Sequence, residues 1–426
     1  MLRLRSCCFG FALLGMMILL MLCAALNAQQ TGPIILPLVP PRDKDAKVPH
    51  FVYHGLNIGK VTAAKQGSAT AAANKNPLEQ AVDAYLKAIT PPQSAARTTL
   101  AWINFTKEMS TDKEVQFPKD ECDSVVKYRA VPFISLVTPG RCDILKDGKL
   151  NDKWGPNFEQ WGKDARPYLV SADPTAKERR ALMITFAPGC NGGSSCWKKH
   201  PNEFTIVFKA IQDAIKKGVS QADKAANDGK TNSADNIIWV LQIEVPDGAT
   251  PFESFYPKNG EFTVTWIGVN VFGAVPSPAD ASQADSSGDA TNAAGDSKKV
   301  LLTPLPEQLA RYFFPPQKRL LKIASDKRII ISAFGCPDTL DARSVRWTQE
   351  ALDWIAGPNA VIFPQIIGFS WLNSAAPFSY CVTDCSAKGG NAVSLKLQTN
   401  SIVARAFARF LDPIKVVSEP AFTSSP

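Results

Sequence analysis

The chain alternates between short apolar runs and longer segments in which apolar residues recur at helical spacing. The short runs, such as LMITF before Ala187 and IIISAF before Gly335, lack a regular exchange of apolar and polar residues. Such runs are typical of strands that are buried on both faces of a parallel sheet. We predict eight of these strands, at 51–60, 98–105, 131–138, 182–186, 237–243, 262–272, 328–334 and 366–372.

Helical periodicity follows most of these strands. The clearest case is 78–89, where Leu78, Val82, Tyr85 and Ile89 would share one face. Further helices are predicted at 158–169, 204–219, 305–324 (broken near Pro315), 344–355 and 400–411, while the crossover through Cys122 is expected to be irregular. Eight strand–helix units predict an α/β fold, a (β/α)8 TIM barrel. A doubly wound sheet is the alternative, but no glycine-rich phosphate turn follows the first strand.

The 426 residues divide by composition into one large domain and several flanking segments. We expect a signal peptide or signal anchor at 1–28, a proline-rich linker at 29–49, the barrel at 50–412 and a C-terminal tail at 413–426. Within the barrel, 275–300 consists mainly of Pro, Ala, Ser, Asp, Gly and Thr. Such a segment buries too little apolar surface to offset its ordering entropy, so we predict a disordered insertion.

The N-terminal segment resembles an export signal. Arg3 and Arg5 precede an uncharged apolar stretch at 7–26, and small residues follow it, so cleavage is expected after Ala25 or Ala28. A secreted protein is therefore predicted. The apolar stretch is also long enough to span a bilayer, so a retained anchor with the barrel outside the cell is the alternative.

Charge and histidine content narrow the function classes further. The net charge of +8 is spread along the chain without a basic block interleaved with aromatic residues, which argues against nucleic-acid binding. The three histidines and the cysteine spacing do not match a zinc site. We expect no metal and no cofactor, and a monomer that contacts a membrane only if the leader is retained.

Seven of the ten cysteines lie outside the leader, and in an exported protein they suggest disulfides. Short loops favour the pairs Cys122–Cys142, Cys190–Cys196 and Cys381–Cys385. Cys336 is then left over, and a Cys190–Cys336 bridge across two strand ends is the alternative.

Five stretches of the sequence together resemble glycoside hydrolase family 26, the secreted β-mannanases and related β-glucanases and xylanases. They are the helix and strand of 154–169 and 181–197, NIIWV at 236–240, YPKNGEFTVTWIGVNVF at 256–272, IISAFG at 330–335 with the helix after it, and GFSWLN at 368–373. The third stretch is the most specific match. Order and spacing agree over nearly all of the predicted barrel.

The resemblance implies two catalytic carboxyl groups, which this chain lacks at the matching positions. The acid/base position holds Gly189 and the nucleophile position holds Ala333. Neighbouring positions have changed as well, with Thr185 for arginine, Pro188 for histidine, Asn270 for aspartate and Phe272 for tyrosine. Because retaining hydrolysis needs a facing carboxyl pair, we predict no catalytic residue here and therefore a pseudoenzyme. Glu244 and Asp338 are the fallback carboxylates.

A sugar-binding role remains open at the predicted mouth. The expected substrate-binding residues are Asn191, Trp197, Trp239, Asn270, Phe272 and Trp371. Trp197 is expected to be the most exposed of the tryptophans, although large aromatic residues also serve as core packing. One glycosylation sequon begins at Asn104, at a strand end.

The prediction is a secreted β-mannanase-like barrel that binds cell-wall polysaccharide, mannan or a related β-glycan, without cleaving it. Two alternatives stay open. The first is an active endo-acting hydrolase of β-mannan or β-glucan with relocated carboxylates. The second is a surface-anchored scaffold or interaction protein whose cleft is vestigial.

Overall fold

The fold is taken from a computed structural model of the chain. It describes residues 53–60, 76–90, 100–109, 115–138, 145–146, 149–150, 154–170, 181–192, 195–227, 232–245, 250–258, 260–272, 274–275, 301–302, 304–313, 317–336, 341–356, 359, 363, 365–373, 375–376 and 393–394. The predicted leader, linker, insertion core, last helix and tail lie outside these residues, and their boundaries stay predictions.

Eight parallel strands close into a barrel. In chain order they are β1 (Tyr53–Lys60), β2 (Trp102–Glu108), β3 (Val131–Val137), β4 (Leu182–Phe186), β5 (Ile237–Glu244), β6 (Trp266–Phe272), β7 (Arg328–Gly335) and β8 (Ile366–Leu372). Each strand pairs with its sequence neighbours, and β8 pairs with β1. The predicted (β/α)8 barrel is therefore confirmed.

Seven α-helices are described around the barrel. They are α1 (Pro77–Ile89), α2 (Lys119–Lys127), α3 (Trp154–Ala165), α4 (Pro201–Ala226), α5 (Leu305–Phe313), α6 (Arg319–Ala324) and α7 (Asp341–Ala356). Short 3₁₀ turns lie at Arg166–Tyr168, Cys196–Lys199, Ser233–Asn236 and Phe252–Phe255. Two-residue antiparallel ribbons pair Leu145–Lys146 with Lys149–Leu150, Ala274–Val275 with Leu301–Leu302, and Ala375–Ala376 with Val393–Ser394.

Helix α2 corrects the expectation of an irregular crossover after β2. It has only nine residues, its mean composition is polar, and it buries Cys122, Ser124 and Val125. Three buried positions in a short segment give too little periodicity to indicate a helix. Acidic residues in its first turn and Lys127 in its last turn favour the helix through the peptide dipole.

Helices α3 and α4 pack closely because each has a glycine at the contact. A Cβ on Gly162 would overlap the Ile215 carbonyl oxygen, and a Cβ on Gly218 would overlap the Glu159 carbonyl oxygen. The two backbones therefore touch. The helix that precedes β4 in the sequence is thus packed directly against the helix that follows it. Within the described residues, no helix is long and apolar enough to cross a membrane.

The barrel interior is divided into two layers along its axis. The amino-terminal half is apolar and is filled by side chains that include Tyr53, Trp102, Met183, Trp266 and Ile330. Trp102 and Trp266 meet edge to face, with ring centroids 6.3 Å apart. The apolar residues on the outside of the strands pack against the helices in a second, larger cluster. The carboxyl-terminal half of the interior is polar.

Candidate functional site

Every strand of the barrel contributes one buried polar side chain to the carboxyl-terminal half of the interior. We call this set the polar belt; its members are Asn57, Asn104, Ser135, Thr185, Gln242, Asn270, Ser332 and Ser370. On five strands the polar residue follows an apolar interior residue at a spacing of two; these apolar residues are Trp102, Phe133, Met183, Val240 and Ile330. The belt thus lies directly above the apolar layer, on the side where barrel enzymes keep their sites.

The densest part of the belt lies on β5, β6 and β7. The Gln242 side-chain amide donates to Asn270 Oδ1 at 2.7 Å, and the Ser332 hydroxyl donates to the same oxygen at 2.8 Å. Across the barrel, Asn104 and Ser135 bond to each other, with Asn104 Nδ2 3.0 Å from Ser135 Oγ. These bonds hold the belt side chains in defined orientations.

Three buried atoms of the belt have no hydrogen-bond partner among the described residues. They are Thr185 Oγ1, Gln242 Oε1 and Asn270 Nδ2. A hydroxyl, an acceptor and a donor are therefore offered together on β4, β5 and β6, which are consecutive around the barrel. A buried polar atom is costly unless it is hydrogen-bonded, so these three groups favour a polar ligand that both donates and accepts.

The position that corresponds to the expected acid/base is shaped by the backbone. Gly189 has a φ of 70°, a left-handed conformation that favours glycine. Its N–H donates to the Gln242 carbonyl at 2.9 Å, and its own carbonyl accepts from Gly192 N–H at 2.8 Å. The loop after β4 is thus a tight turn laid along β5, with no side chain at residue 189.

The position that corresponds to the expected nucleophile lies in a bulge of β7. The pairing of β7 with β6 shifts register between Ile331 and Ala333, and the pairing with β8 also shifts there. Ser332 therefore reaches Asn270 in the belt while the next residue, Ala333, also packs at the mouth, beside Leu372 and the partly buried Phe272. Apolar contacts fill this position.

Asn191 positions the end of β5. Its side-chain amide donates to the Glu244 carbonyl at 3.0 Å, and its Oδ1 accepts from the Glu244 N–H at 2.8 Å. These two hydrogen bonds join the loop after β4 to the end of β5. Asn191 was predicted to bind substrate, but it is fully buried and its side chain holds the backbone.

Glu244 is the inward-facing carboxyl at the end of β5. Its Oε2 lies so close to Gly192 that a Cβ on that glycine would overlap it. Burial raises the pKa of Glu244 to about 7. Asp338, the other fallback carboxylate, lies outside the described residues. Glu108, at the end of β2, forms an ion pair with Lys60 at 2.7 Å.

The three tryptophans predicted to bind substrate face away from the barrel interior. Trp197 is 1% exposed; it donates to Thr138 Oγ1 at 3.1 Å and contacts Phe186, so the expectation that it is exposed is wrong. Trp239 packs against Phe208 of α4, and Trp371 packs against Phe334. Strand alternation explains this result, because each tryptophan of β5 and β8 is one residue away from an inward-facing position.

The disulfide predictions are wrong for the cysteines that the structure describes. Cys122 and Cys190 are free thiols, which rules out Cys122–Cys142, Cys190–Cys196 and Cys190–Cys336. Cys190 points to the Gln242 carbonyl, Cys196 lies 3.7 Å from Thr138 Oγ1, and Cys336 points to the Ser344 carbonyl. The thiols thus turn to different neighbours. Cys142, Cys381 and Cys385 lie outside the described residues.

Asn104 is also placed differently from the expectation. It is 1% exposed and belongs to the polar belt, so it is not accessible to a glycosyltransferase in the folded chain. Gln242 and Ser332 were missed by the sequence reasoning. The signal that would have found them is a single polar residue near the carboxyl end of an otherwise apolar strand. No group of three or more metal-ligand side chains occurs among the described residues.

Comparison with known proteins yields structural likenesses only. No protein-family model matches the sequence, and no curated protein matches it. A GH113 β-1,4-mannanase is similar over 85% of this chain and 99% of its own, with a TM-score of 0.41 and 10% identity. A glucosidase from Croceicoccus marinus is similar over 85% of this chain and 68% of its own, with a TM-score of 0.46 and 11% identity. A family 5 xyloglucanase from Paenibacillus pabuli is similar over 85% of this chain and 98% of its own, with a TM-score of 0.41 and 11% identity. These neighbours are glycoside hydrolase barrels.

Proposed function

We propose that this protein is a secreted, family 26-like barrel that binds a polysaccharide at its mouth without hydrolysing it. The observation that supports binding is the polar belt, whose unpartnered Thr185, Gln242 and Asn270 atoms suit the hydroxyl groups of a sugar. A hydroxyl both donates and accepts, so one sugar ring meets all three requirements. The belt carries no formal charge, as a neutral sugar requires.

The absence of hydrolysis is supported by the two strand ends that would carry the carboxyl groups. Retaining hydrolysis needs two carboxyl groups about 5–5.5 Å apart. Gly189 and Ala333 provide neither, and Ala333 is buried beside Leu372. Glu244 alone offers a proton but no facing nucleophile among the described residues.

The test is a panel of mannan, glucomannan, mixed-linkage β-glucan and xylan, scored for binding by affinity electrophoresis and for hydrolysis by reducing-sugar release. We expect retarded migration with at least one polysaccharide and no sugar release. Gln242→Ala should weaken the retardation, whereas Gln160→Ala, on the exposed face of α3, should leave it unchanged. Absence of binding to every polysaccharide would contradict the proposal.

A second function, hydrolysis by relocated carboxylates, is favoured by one observation. A carboxyl with a pKa near 7 is suited to act as a general acid at neutral pH. Sugar release by the unmodified protein that is lost in Glu244→Gln would establish this function in place of the first.

The proposed secretion rests on residues 1–28 alone, because the disulfides predicted for Cys122 and Cys190 do not form. Expression with the full leader in a secreting host should release a protein that begins at Leu26 or Gln29, as read by N-terminal sequencing. Recovery in the membrane fraction with Met1 or Leu2 as the first residue would instead identify an anchor.

A further inference from the structure

The mouth of the barrel combines a neutral polar belt with one carboxyl group. Glu244 and Asn270 are register partners on β5 and β6, and both face inward. Gln242 lies two residues earlier on the same face of β5. Thus a carboxyl, an acceptor (Gln242 Oε1) and a donor (Asn270 Nδ2) follow one another along the same part of the wall.

The Glu244 carboxyl has no hydrogen-bond or ion-pair partner among the residues that the structure describes. Asn191 binds its backbone and not its carboxyl, and the nearby Gly192 contributes no side chain. On the β4 loop, the Cys190 thiol is the titratable group that interacts with the charge of Glu244, and burial together with this charge raises the pKa of the thiol. Gln242 and Asn270, on the adjacent strand positions, are neutral. No described lysine, arginine or histidine neutralises it.

We infer that the mouth is built for a cationic sugar, a β-linked amino sugar with a protonated amine, whose ammonium group pairs with Glu244 while its hydroxyls bond to Gln242, Asn270 and Thr185. This inference rests on the proposed polysaccharide-binding function and specifies its ligand class. A partly buried carboxylate without a protein partner is strongly favoured by a bound cation, because opposite charges attract more strongly where water is excluded.

A metal ion fits these observations less well than an ammonium group. No group of three metal-ligand side chains exists among the described residues, and amide and hydroxyl groups supply the rest of the wall. Attraction by the whole protein does not explain such binding either, since the formal net charge is +8 and would repel a polycation. Selective binding would therefore depend on the local carboxyl.

The experiment is isothermal titration near neutral pH with two oligomers of equal length, β-1,4-linked glucosamine and β-1,4-linked glucose, which differ in an amine and a hydroxyl at one carbon of each ring. We expect the glucosamine oligomer to bind about tenfold more tightly, the range of a charge-assisted hydrogen bond. In Glu244→Gln the two affinities should agree within about twofold, since the amide keeps the shape and removes the charge.

Two further variants separate local pairing from general electrostatics and from misfolding. Glu108→Gln removes the same charge from the rim, where the carboxylate is already paired with Lys60, and should keep the preference. Gly192→Ala should displace the flexible Glu244 carboxyl and lower the preference while the glucose oligomer still binds. Thermal melts of all variants show whether each is folded.

The outcomes distinguish the cationic-sugar inference from the proposed polysaccharide binding on which it rests. Equal affinities in the unmodified protein, or a preference that survives Glu244→Gln, would overturn the cationic-sugar inference and leave polysaccharide binding intact. If neither these oligomers nor any polysaccharide of the panel binds, the proposed function itself is wrong.

Discussion

At the amino-terminal end of the barrel, the interior is filled by Tyr53, Trp102, Met183 and Trp266, whose large and mainly apolar side chains pack in one cluster. The Trp102 indole Nε1 in this cluster donates to Ser370 Oγ at 2.6 Å. At the carboxyl-terminal end, the same strands present amides, hydroxyls and Glu244, and three buried polar atoms there have no partner in the described structure. The same eight strands thus bury apolar side chains at one end of the barrel and polar side chains at the other.

The difference between the two ends separates stability from function. A packed apolar layer gains from every buried surface and has no need of a ligand. The three belt atoms without a partner and the Glu244 carboxyl reduce the free energy of unfolding, because these desolvated groups are left unpaired. A site that binds a polar ligand requires this arrangement. Removal of an apolar side chain at the first end should therefore lower stability, whereas removal of an unpartnered polar group at the second end should raise it.

The largest effect is expected at the apolar end. Trp266→Ala removes a fully buried side chain that meets Trp102 edge to face, and should lower the free energy of unfolding by about 3–5 kcal/mol. Chemical denaturation measures this loss. Trp354→Ala on α7, which removes a partly buried indole outside the barrel, is the control and should cost clearly less. Equal losses would mean that the apolar layer is not the main source of stability inside the barrel.

Glu244→Gln should have the second-largest effect, of opposite sign. Burial raises the pKa of Glu244 from 4.5 to about 7, so between these values the folded chain holds a proton that the unfolded chain releases. Folding stability therefore falls as pH rises through this window. The variant should gain up to about 3 kcal/mol at pH 8, and its advantage should vanish near pH 4.

Denaturation curves of Glu244→Gln at several pH values measure this gain. Glu108→Gln, which breaks the ion pair with Lys60, is the control and should not stabilise the protein. A pH-independent effect of Glu244→Gln would show that the carboxyl is not desolvated in the folded protein.

Restoring a carboxyl at the expected nucleophile position should cost stability. Ala333→Glu inserts a longer, charged side chain beside Phe272 and Leu372 on a bulged strand, and should lower the free energy of unfolding by about 2 kcal/mol. Ala333→Ser is the small control. Reducing-sugar release measured for Ala333→Glu, alone and with Gly189→Glu, should stay at background, and release above it would show that the mouth still accommodates catalysis.

Much of the barrel could be predicted from the sequence because its strands are local and strongly apolar. Predicted and observed bounds coincide for β4 and β8 and differ by a few residues elsewhere. The helix at 119–127 escaped detection because its packing is supplied by neighbours; Tyr168 from beyond α3, for example, donates to the Asp123 carboxylate. The periodicity of a short segment does not indicate contacts with distant residues of this kind.

The site was less predictable, because it depends on the direction in which each strand residue points. Asn270, which was predicted to bind substrate, faces the barrel interior, whereas Trp239 and Trp371 lie on the opposite face of their strands. A bulge places both Ser332 and Ala333 on the interior side, and no pattern in ISAFG indicates a bulge. The thiol directions also follow from loop geometry, so equal spacing in sequence suggested bridges that the fold does not make.

The smallest predicted effect compares two buried hydroxyls. Thr185→Val replaces a belt hydroxyl that lacks a partner among the described residues by a methyl group of similar size. Since no bond is lost and a desolvated group is removed, the variant should gain about 1 kcal/mol and should weaken polysaccharide binding a few-fold. Ser124→Ala, which removes a buried hydroxyl that donates to Glu79 Oε1 at 3.0 Å, should instead lose about 1 kcal/mol. If Thr185→Val destabilises the barrel as Ser124→Ala does, the belt is a structural network and the contrast between the two ends of the interior fails.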